Sequence, residues 1–165
     1  MMNSSSLEGE KRTSRRLIRI SRDRDYPLKH LETVLLPLFQ KDYTEDSLRV
    51  TIESANHIWC AYENGQCLGC VLATDIGSHG GLYVILFGVC ESVQGLGIGT
   101  RMLKKMIKWC RKRRRSFVFL LTEHYNERAI RLYEKAGFEK HFHSTMYDEP
   151  LPEHGQGVLP LMLLI

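Results

Sequence analysis

The chain has 165 residues, of which 43% are hydrophobic and 25% charged, a composition that fits one domain with a sizeable core. No run reaches the roughly 18 apolar residues of a membrane span, and the N-terminus lacks the apolar centre of a secretory signal. We therefore expect a soluble cytoplasmic protein, with the nucleus as a second location. The net charge of +4 is local: Arg111–Arg115 supplies five positive charges, and the other residues comprise 18 basic against 19 acidic.

The first sixteen residues are rich in serine and charge without an apolar rhythm. They predict a disordered tail over 1–16, ahead of one folded domain over 17–165. Alternation predicts a first strand at Leu17–Ile20, and a helical apolar pattern follows at Leu28–Phe39, where Pro37 interrupts it. The later predicted elements are a short helix at Asp46–Ser54 and strands at Ile58–Tyr62, Cys67–Thr74, Leu82–Val89, Phe138–His143 and Val158–Ile165.

Cys67 and Cys70 have the spacing of a redox or zinc pair. They follow the turn-forming residues Glu63-Asn64-Gly65-Gln66 and lie on one predicted strand, where residues three apart face opposite sides. No second ligand pair lies at zinc-finger spacing. We therefore expect no metal, and five free, mostly buried cysteines, which is typical of a reducing compartment.

Three glycines occur in the segment Gln94-Gly95-Leu96-Gly97-Ile98-Gly99-Thr100, between an apolar strand and an amphipathic helix. Glycine permits positive φ, so phosphate oxygens can approach the backbone amides, and the helix adds unpaired N–H groups and the positive end of its dipole. The segment matches neither a Walker loop nor the spacing of the dinucleotide fingerprint. It predicts an anion cradle; the alternative is a plain turn before a helix.

A second informative segment runs over Asn126–Phe138, after the apolar stretch Phe117–Leu121. Asn126 can cap a helix, and Gly137 suits the left-handed position just past its end. Tyr133 lies on the apolar face of that helix, so it points inward with a hydroxyl that needs a partner. The alternative for Tyr133 is a half-buried packing residue.

Together the two segments resemble the GNAT superfamily of acetyl-CoA-dependent N-acetyltransferases. The resemblance implies an α/β fold, with a mixed central sheet of about seven strands flanked by about four helices, and acetyl-CoA as acetyl donor. It implies that the first segment holds the coenzyme's pyrophosphate and that the second contacts its pantetheine and thiol end. The implied coenzyme-binding residues are Phe87, Gly88, Val89, Gln94, Gly95, Leu96, Gly97, Ile98, Gly99, Thr100, Asn126 and Tyr133.

The stretch from Gly81 to Leu103 is most similar to the Nα-terminal acetyltransferases of NatE and NatF type. The similarity implies a protein or peptide N-terminus as substrate, a starting methionine followed by a hydrophobic or other non-small residue, and possible association with the ribosome or an auxiliary subunit. It implies that two loops wall the substrate. The implied substrate-binding residues are Leu36, Pro37, Tyr43, Tyr83 and Tyr147. The alternatives are structural: Pro37 ends a helix, Tyr43 is a surface aromatic, and Tyr147 packs beneath its loop.

Acetyl transfer requires a group that takes the amine proton, a donor for the oxyanion and a proton for the departing thiolate. The resemblance implies Tyr83 as the base, a backbone amide of Gly88 or Val89 near the acetyl oxygen, and Tyr133 as the donor to the sulfur. An ordinary tyrosine, with a pKa near 10, is a poor base at neutral pH unless its pKa is shifted or water bridges it.

The chain departs from these relatives at Leu121, where they carry a histidine. Leucine cannot relay a proton, so another group must take that role. His124 and Glu123 follow shortly after; either could reach the site through water, and either could be a plain loop residue. We take His124 as the candidate catalytic residue. An α-amine, with a pKa of about 8, is partly neutral at physiological pH and needs less help than a lysine.

Two other functions remain open. One is a GNAT enzyme that acts on lysine side chains or small amines, for which Tyr147-Asp148-Glu149 gives a hint of an acidic pocket. The other is a non-catalytic acetyl-CoA-binding partner subunit. Arg111–Arg115 could contact ribosomal RNA or acidic lipid, resemble a nuclear-import tract, or form a solvated helix end that the helix dipole favours.

Overall fold

The computed structural model describes residues 17–22 and 28–165, and the predicted tail over 1–16 lies outside them. The helices in the described part are α1 (Leu28–Phe39), α2 (Glu45–Ser54), α3 (Ile98–Lys112) and α4 (Glu127–Lys135), with a short 3-10 helix at Glu91–Val93. The strands are β1 (Arg19–Arg22), β2 (His57–Glu63), β3 (Gln66–Ile76), β4 (Gly81–Val89), β5 (Phe117–Glu123), β6 (Glu139–Lys140), β7 (Thr145–Met146), β8 (Glu149–Pro150) and β9 (Val158–Leu164).

Seven strands form one sheet in the order β1-β2-β3-β4-β5-β9-β6, and β7 and β8 form a separate small hairpin. The β4–β5 pair is parallel, while the other neighbours in the sheet are antiparallel. The mixed seven-stranded sheet and its four α-helices confirm the predicted fold class. None of the helices in the described ranges is long and apolar enough to cross a membrane.

The helices bury opposite faces of the sheet. Leu31 and Leu35 of α1 pack with Leu48 and Ile52 of α2 in one apolar cluster, because these residues recur at helical spacing on one face of each helix. The apolar residues of α3 pack with Tyr133 of α4 in a cluster on the other face. The sheet therefore has a helical layer on each side.

The two parallel strands at the centre of the sheet, β4 and β5, diverge halfway along their length. β4 pairs with β5 only from Gly81 to Val84, opposite Phe117–Leu120. Ile85 is the extra residue of a β-bulge against β3, because Leu86 pairs with Leu72 while Val84 pairs with Ala73. Bulges bend a strand and increase its twist. The bulge thus accompanies the opening of a gap between the later halves of β4 and β5.

The prediction that the Cys67 and Cys70 thiols diverge is wrong. Tyr62 pairs with Cys67 and Ala61 with Gly69, so Leu68 is an extra residue that shifts the alternation of β3 by one. Both cysteines therefore pack with Cys60 in the cluster under α1 and α2. The five cysteines are free, and the described residues include no group arranged to hold a metal ion.

The strand predicted at Phe138–His143 is shorter than expected, because β6 covers Glu139–Lys140 alone. The His141 amide still donates to the carbonyl of Pro160 on β9. Proline has no N–H to return the second bond of such an antiparallel pair. The ladder between β6 and β9 therefore ends at this point.

Candidate active site

A cavity of about 800 Å³ lies at the open end of the gap, between the end of α1, the end of β4, the glycine segment and α4. All the predicted coenzyme-binding residues except Leu96 line it. The Leu96 side chain is 57% exposed and lies outside the lining. The structure thus gathers both sequence segments around one opening.

The glycine segment presents a row of unused backbone donors. Gly95 and Gly97 have φ of +81° and +80°, in the left-handed region that glycine tolerates. Within the described ranges, the six consecutive amides of residues 95–100 have no acceptor. They include the first amides of α3, where the helix dipole favours an anion. This cradle fits a diphosphate such as that of coenzyme A.

The Gln94 side chain holds the cradle in place. Its Nε2 donates to the Val89 carbonyl at 2.9 Å, and its Oε1 accepts from Arg128 Nη1 at 2.9 Å. It therefore ties the segment to both β4 and α4. Arg128, Arg131 and Lys135 also line the cavity and add positive charge suited to phosphate groups. We did not predict these three from the sequence, although their spacing places them along α4.

The amide of Val89 faces the gap. The next amide along, that of Cys90, donates to the Leu68 carbonyl of β3 at 2.8 Å. Because successive amides of a strand point in opposite directions, the Val89 amide is directed away from β3 and toward the parted β5. Val89 is therefore better placed than Gly88 to donate to an oxygen in the gap.

Asn126 and Tyr133 are held by α4. The Asn126 side chain accepts a hydrogen bond from the Ala129 amide at 3.2 Å, which confirms it as the helix cap. Tyr133 is buried, with its ring 6.2 Å from that of Phe87 and 5.6 Å from that of Phe138. Burial raises the pKa of Tyr133, and the charge of Glu123 adds to the increase. Tyr133 therefore stays protonated at neutral pH.

Tyr83 lies on the face of the sheet opposite Tyr133. It is half-buried, and its ring centroid is 6.0 Å from that of Phe119. Leu121 packs in the same small apolar cluster. Burial, with a smaller contribution from Tyr43, raises the pKa of Tyr83. A base at neutral pH would need a lowered pKa, so the shift runs against the predicted role of Tyr83 as the base.

Of the predicted substrate residues on and after α1, Pro37 lines the cavity, whereas Leu36 and Tyr43 do not. Pro37 lies inside α1 rather than ending it, and it lines the cavity. Leu36 is half-buried against the α1–α2 layer. Tyr43 packs against Phe39 at 6.3 Å between ring centroids and lies near enough to Tyr83 to influence its pKa.

Tyr147 lies apart from the cavity. It has φ of +53° in the turn between β7 and β8, and its ring packs 5.3 Å from His79 and 6.1 Å from Phe117. Glu149 fastens this hairpin by accepting hydrogen bonds from the amide and hydroxyl of Ser78. Tyr147 is nevertheless 49% exposed, and its role in substrate binding stays a prediction.

His124 and Glu123 occupy different positions at the end of β5. His124 is exposed, with its Nδ1 2.7 Å from the Gly157 carbonyl, and it does not line the cavity. Glu123 is half-buried and does line it. The structure thus brings Glu123, and not His124, to the gap.

The basic cluster Arg111–Arg115 at the end of α3 contains one half-buried residue and four exposed ones. Arg115 is half-buried, with Nη2 2.8 Å from an oxygen of Asp75 and its guanidinium 5.2 Å from the Trp109 ring centroid. The same Asp75 oxygen lies 2.8 Å from His57 Nε2. Residues 111–114 are exposed. Arg115 therefore contributes to packing, whereas the other four face solvent.

Comparisons with known proteins agree with this geometry. The model of the acetyltransferase (GNAT) family matches residues 20–138. The N-alpha-acetyltransferase 50 of Danio rerio is 30% identical over 115 residues, which cover 68% of this chain and 67% of that protein.

Solved structures share the fold at lower identity. An acetyltransferase from Streptococcus agalactiae superimposes with a TM-score of 0.75 and 15% identity, over 90% of this chain and 98% of that one. Arabidopsis thaliana Naa50, in complex with the bisubstrate analogue CoA-Ac-MVNAL, gives a TM-score of 0.70 and 23% identity, over 90% of this chain and 99% of that one.

Proposed function

The chain belongs to the GNAT family of acetyltransferases, and we propose that it acetylates the α-amino group of a protein N-terminus. The preferred substrate starts with methionine followed by a hydrophobic or other non-small residue, and transfer is direct, in a ternary complex. Acetyl-CoA supplies the activated acetyl thioester. The observation that carries the proposal is the gap between β4 and β5, with the amide cradle at its open end and the apolar surface of Tyr83 and Leu121 on the opposite sheet face.

Each part of the site has a distinct task. The amides of residues 95–100 bind the diphosphate, with positive charge from α4 beside them. The Val89 amide donates to the acetyl oxygen, where negative charge develops. The hydroxyl of Tyr133, which its raised pKa keeps protonated, gives a proton to the departing sulfur.

Two findings support an N-terminal substrate. The zebrafish relative is an N-alpha-acetyltransferase, and the Arabidopsis relative was bound to an analogue that joins coenzyme A to a peptide starting with methionine. The small-amine alternative gains nothing from the acidic loop, because Tyr147, Asp148 and Glu149 do not line the cavity.

A peptide panel tests the proposal by mass spectrometry. Peptides starting Met-Leu and Met-Lys should gain one acetyl group, while the same peptides with a blocked N-terminus and a free internal lysine should stay largely unmodified. Spermidine and an aminoglycoside serve as small-amine controls. Preferential acetylation of the blocked peptides or of a small amine would contradict the proposal. Failure to modify any amine, with coenzyme binding retained, would favour a non-catalytic subunit.

A further inference from the structure

We propose that Glu123 accepts the proton that the attacking α-amine loses. The assignment rests on the proposed function and names the residue that takes over from the histidine replaced here by Leu121. Glu123 is the last residue of β5 and pairs with Val158 of β9 on one side. Its other side faces the region where β4 is no longer paired with β5.

The alternation of β5 places Glu123 on the reactive face of the gap. Phe119 and Leu121 pack in the apolar cluster that contains Tyr83. Because side chains of a strand alternate with period two, Glu123 follows them on that face. Glu123 lines the same cavity as Val89, whose amide faces the gap. An amine between the two strands would therefore have the carboxylate on one side and the oxyanion donor on the other.

Glu123 is also electrostatically coupled to the proposed proton donor. Its charge contributes, after burial, to the raised pKa of Tyr133, and both residues line the cavity. Two other carboxylates, Asp42 and Glu91, line the cavity, but both are exposed. Of the three, Glu123 alone is half-buried, at the end of β5.

These positions close a proton circuit. As the neutral amine nitrogen forms its bond to the acetyl carbon, its proton passes to Glu123, directly or through one water. The carbon–sulfur bond breaks, and Tyr133 gives its proton to the sulfur. The proton held by Glu123 then restores the Tyr133 hydroxyl. The products are the acetylated amine and the free thiol, and both side chains return to their starting states.

Glu123→Gln keeps the shape of the side chain and removes its basicity. We expect kcat on a Met-Leu peptide to fall by about 10²-fold or more. Calorimetric affinity for coenzyme A and the Tm should stay at wild-type values. Glu134→Gln is the matched control, because it makes the same chemical change beside Tyr133 on an exposed side chain outside the cavity, and it should leave turnover intact. Added formate should restore part of the activity of Glu123→Ala.

Several outcomes would overturn the assignment. Near-normal turnover of Glu123→Gln would remove Glu123 as the acceptor, and a comparable loss in Asp42→Asn or Glu91→Gln alone would transfer the role. A parallel fall in coenzyme affinity and kcat, without rescue by formate, would make Glu123 structural. If the wild type modifies a different amine, the proposed function fails, while the variants measured on that amine still decide the role of Glu123. If the wild type modifies no amine, both fail.

Discussion

Replacing Gly97 by valine tests the amide cradle through its backbone geometry. Gly97 has φ of +80°, and a Cβ built there meets nothing within 4 Å, so the free protein offers no steric obstacle. An L-residue in this region costs about 1–2 kcal/mol, and a β-branched one is especially strained. In the free variant the segment relaxes to a negative φ, and coenzyme binding must restore the positive φ at that cost. The affinity for coenzyme A should therefore fall roughly 5- to 30-fold, since 1.4 kcal/mol is about tenfold. The valine side chain adds an obstruction to the phosphates.

Gly65→Val is the matched control. Gly65 lies in the turn between β2 and β3, has the same φ of +80°, and is also surrounded by open space. Gly65→Val should lose about 1–2 kcal/mol of unfolding free energy and keep its coenzyme affinity. Gly97→Val should lose less stability, because its free segment relaxes, and should weaken coenzyme binding in calorimetry. Unchanged affinity in Gly97→Val, or an equal loss in Gly65→Val, would refute the cradle assignment.

Three further predictions concern groups around the sheet. Tyr133→Phe should lower kcat by about 10²-fold, while Tyr83→Phe should keep turnover within about tenfold, because its raised pKa disfavours a base; steady-state kinetics that reverse this order would restore Tyr83 as the base. Arg115→Glu should lower the Tm because it removes one of the two partners of Asp75 and puts a second carboxylate near it. Arg113→Glu should leave the Tm unchanged and weaken RNA co-sedimentation in a salt-dependent way. Unaltered co-sedimentation would favour the alternative that these arginines form a solvated helix end without an RNA partner. Burial lowers the pKa of His57, so its contribution to stability is present above the unfolded pKa of about 6.5 and is lost as the pH falls through the folded value; His57→Gln should flatten that acid limb of the stability curve in denaturant titrations.

The features that we predicted correctly depend on local chemistry. The glycine segment joins a strand to a helix through residues that tolerate positive φ, and Asn126 caps α4 with its own side chain. Both signals lie within a few residues of the positions that they explain. The resemblance to a family then supplied the arrangement of the strands around them.

The features that we did not predict depend on pairing between distant strands. The bulge at Leu68 places Cys67 and Cys70 on one face, and the length of β6 is limited by Pro160 of β9. Arg115 belongs by sequence to a basic run, but it forms an ion pair with Asp75 of β3 and is half-buried. No local pattern records these partners, because each lies far away along the chain.

The position of one acetyl group tests the central claim most directly. A single peptide that starts Met-Leu and carries a free lysine further along offers both kinds of amine to the enzyme at equal concentration. Tandem mass spectrometry of the product locates the modification. The proposed function predicts acetyl on the α-nitrogen of the methionine, with the lysine largely unmodified. Acetyl predominantly on the lysine Nζ would contradict it.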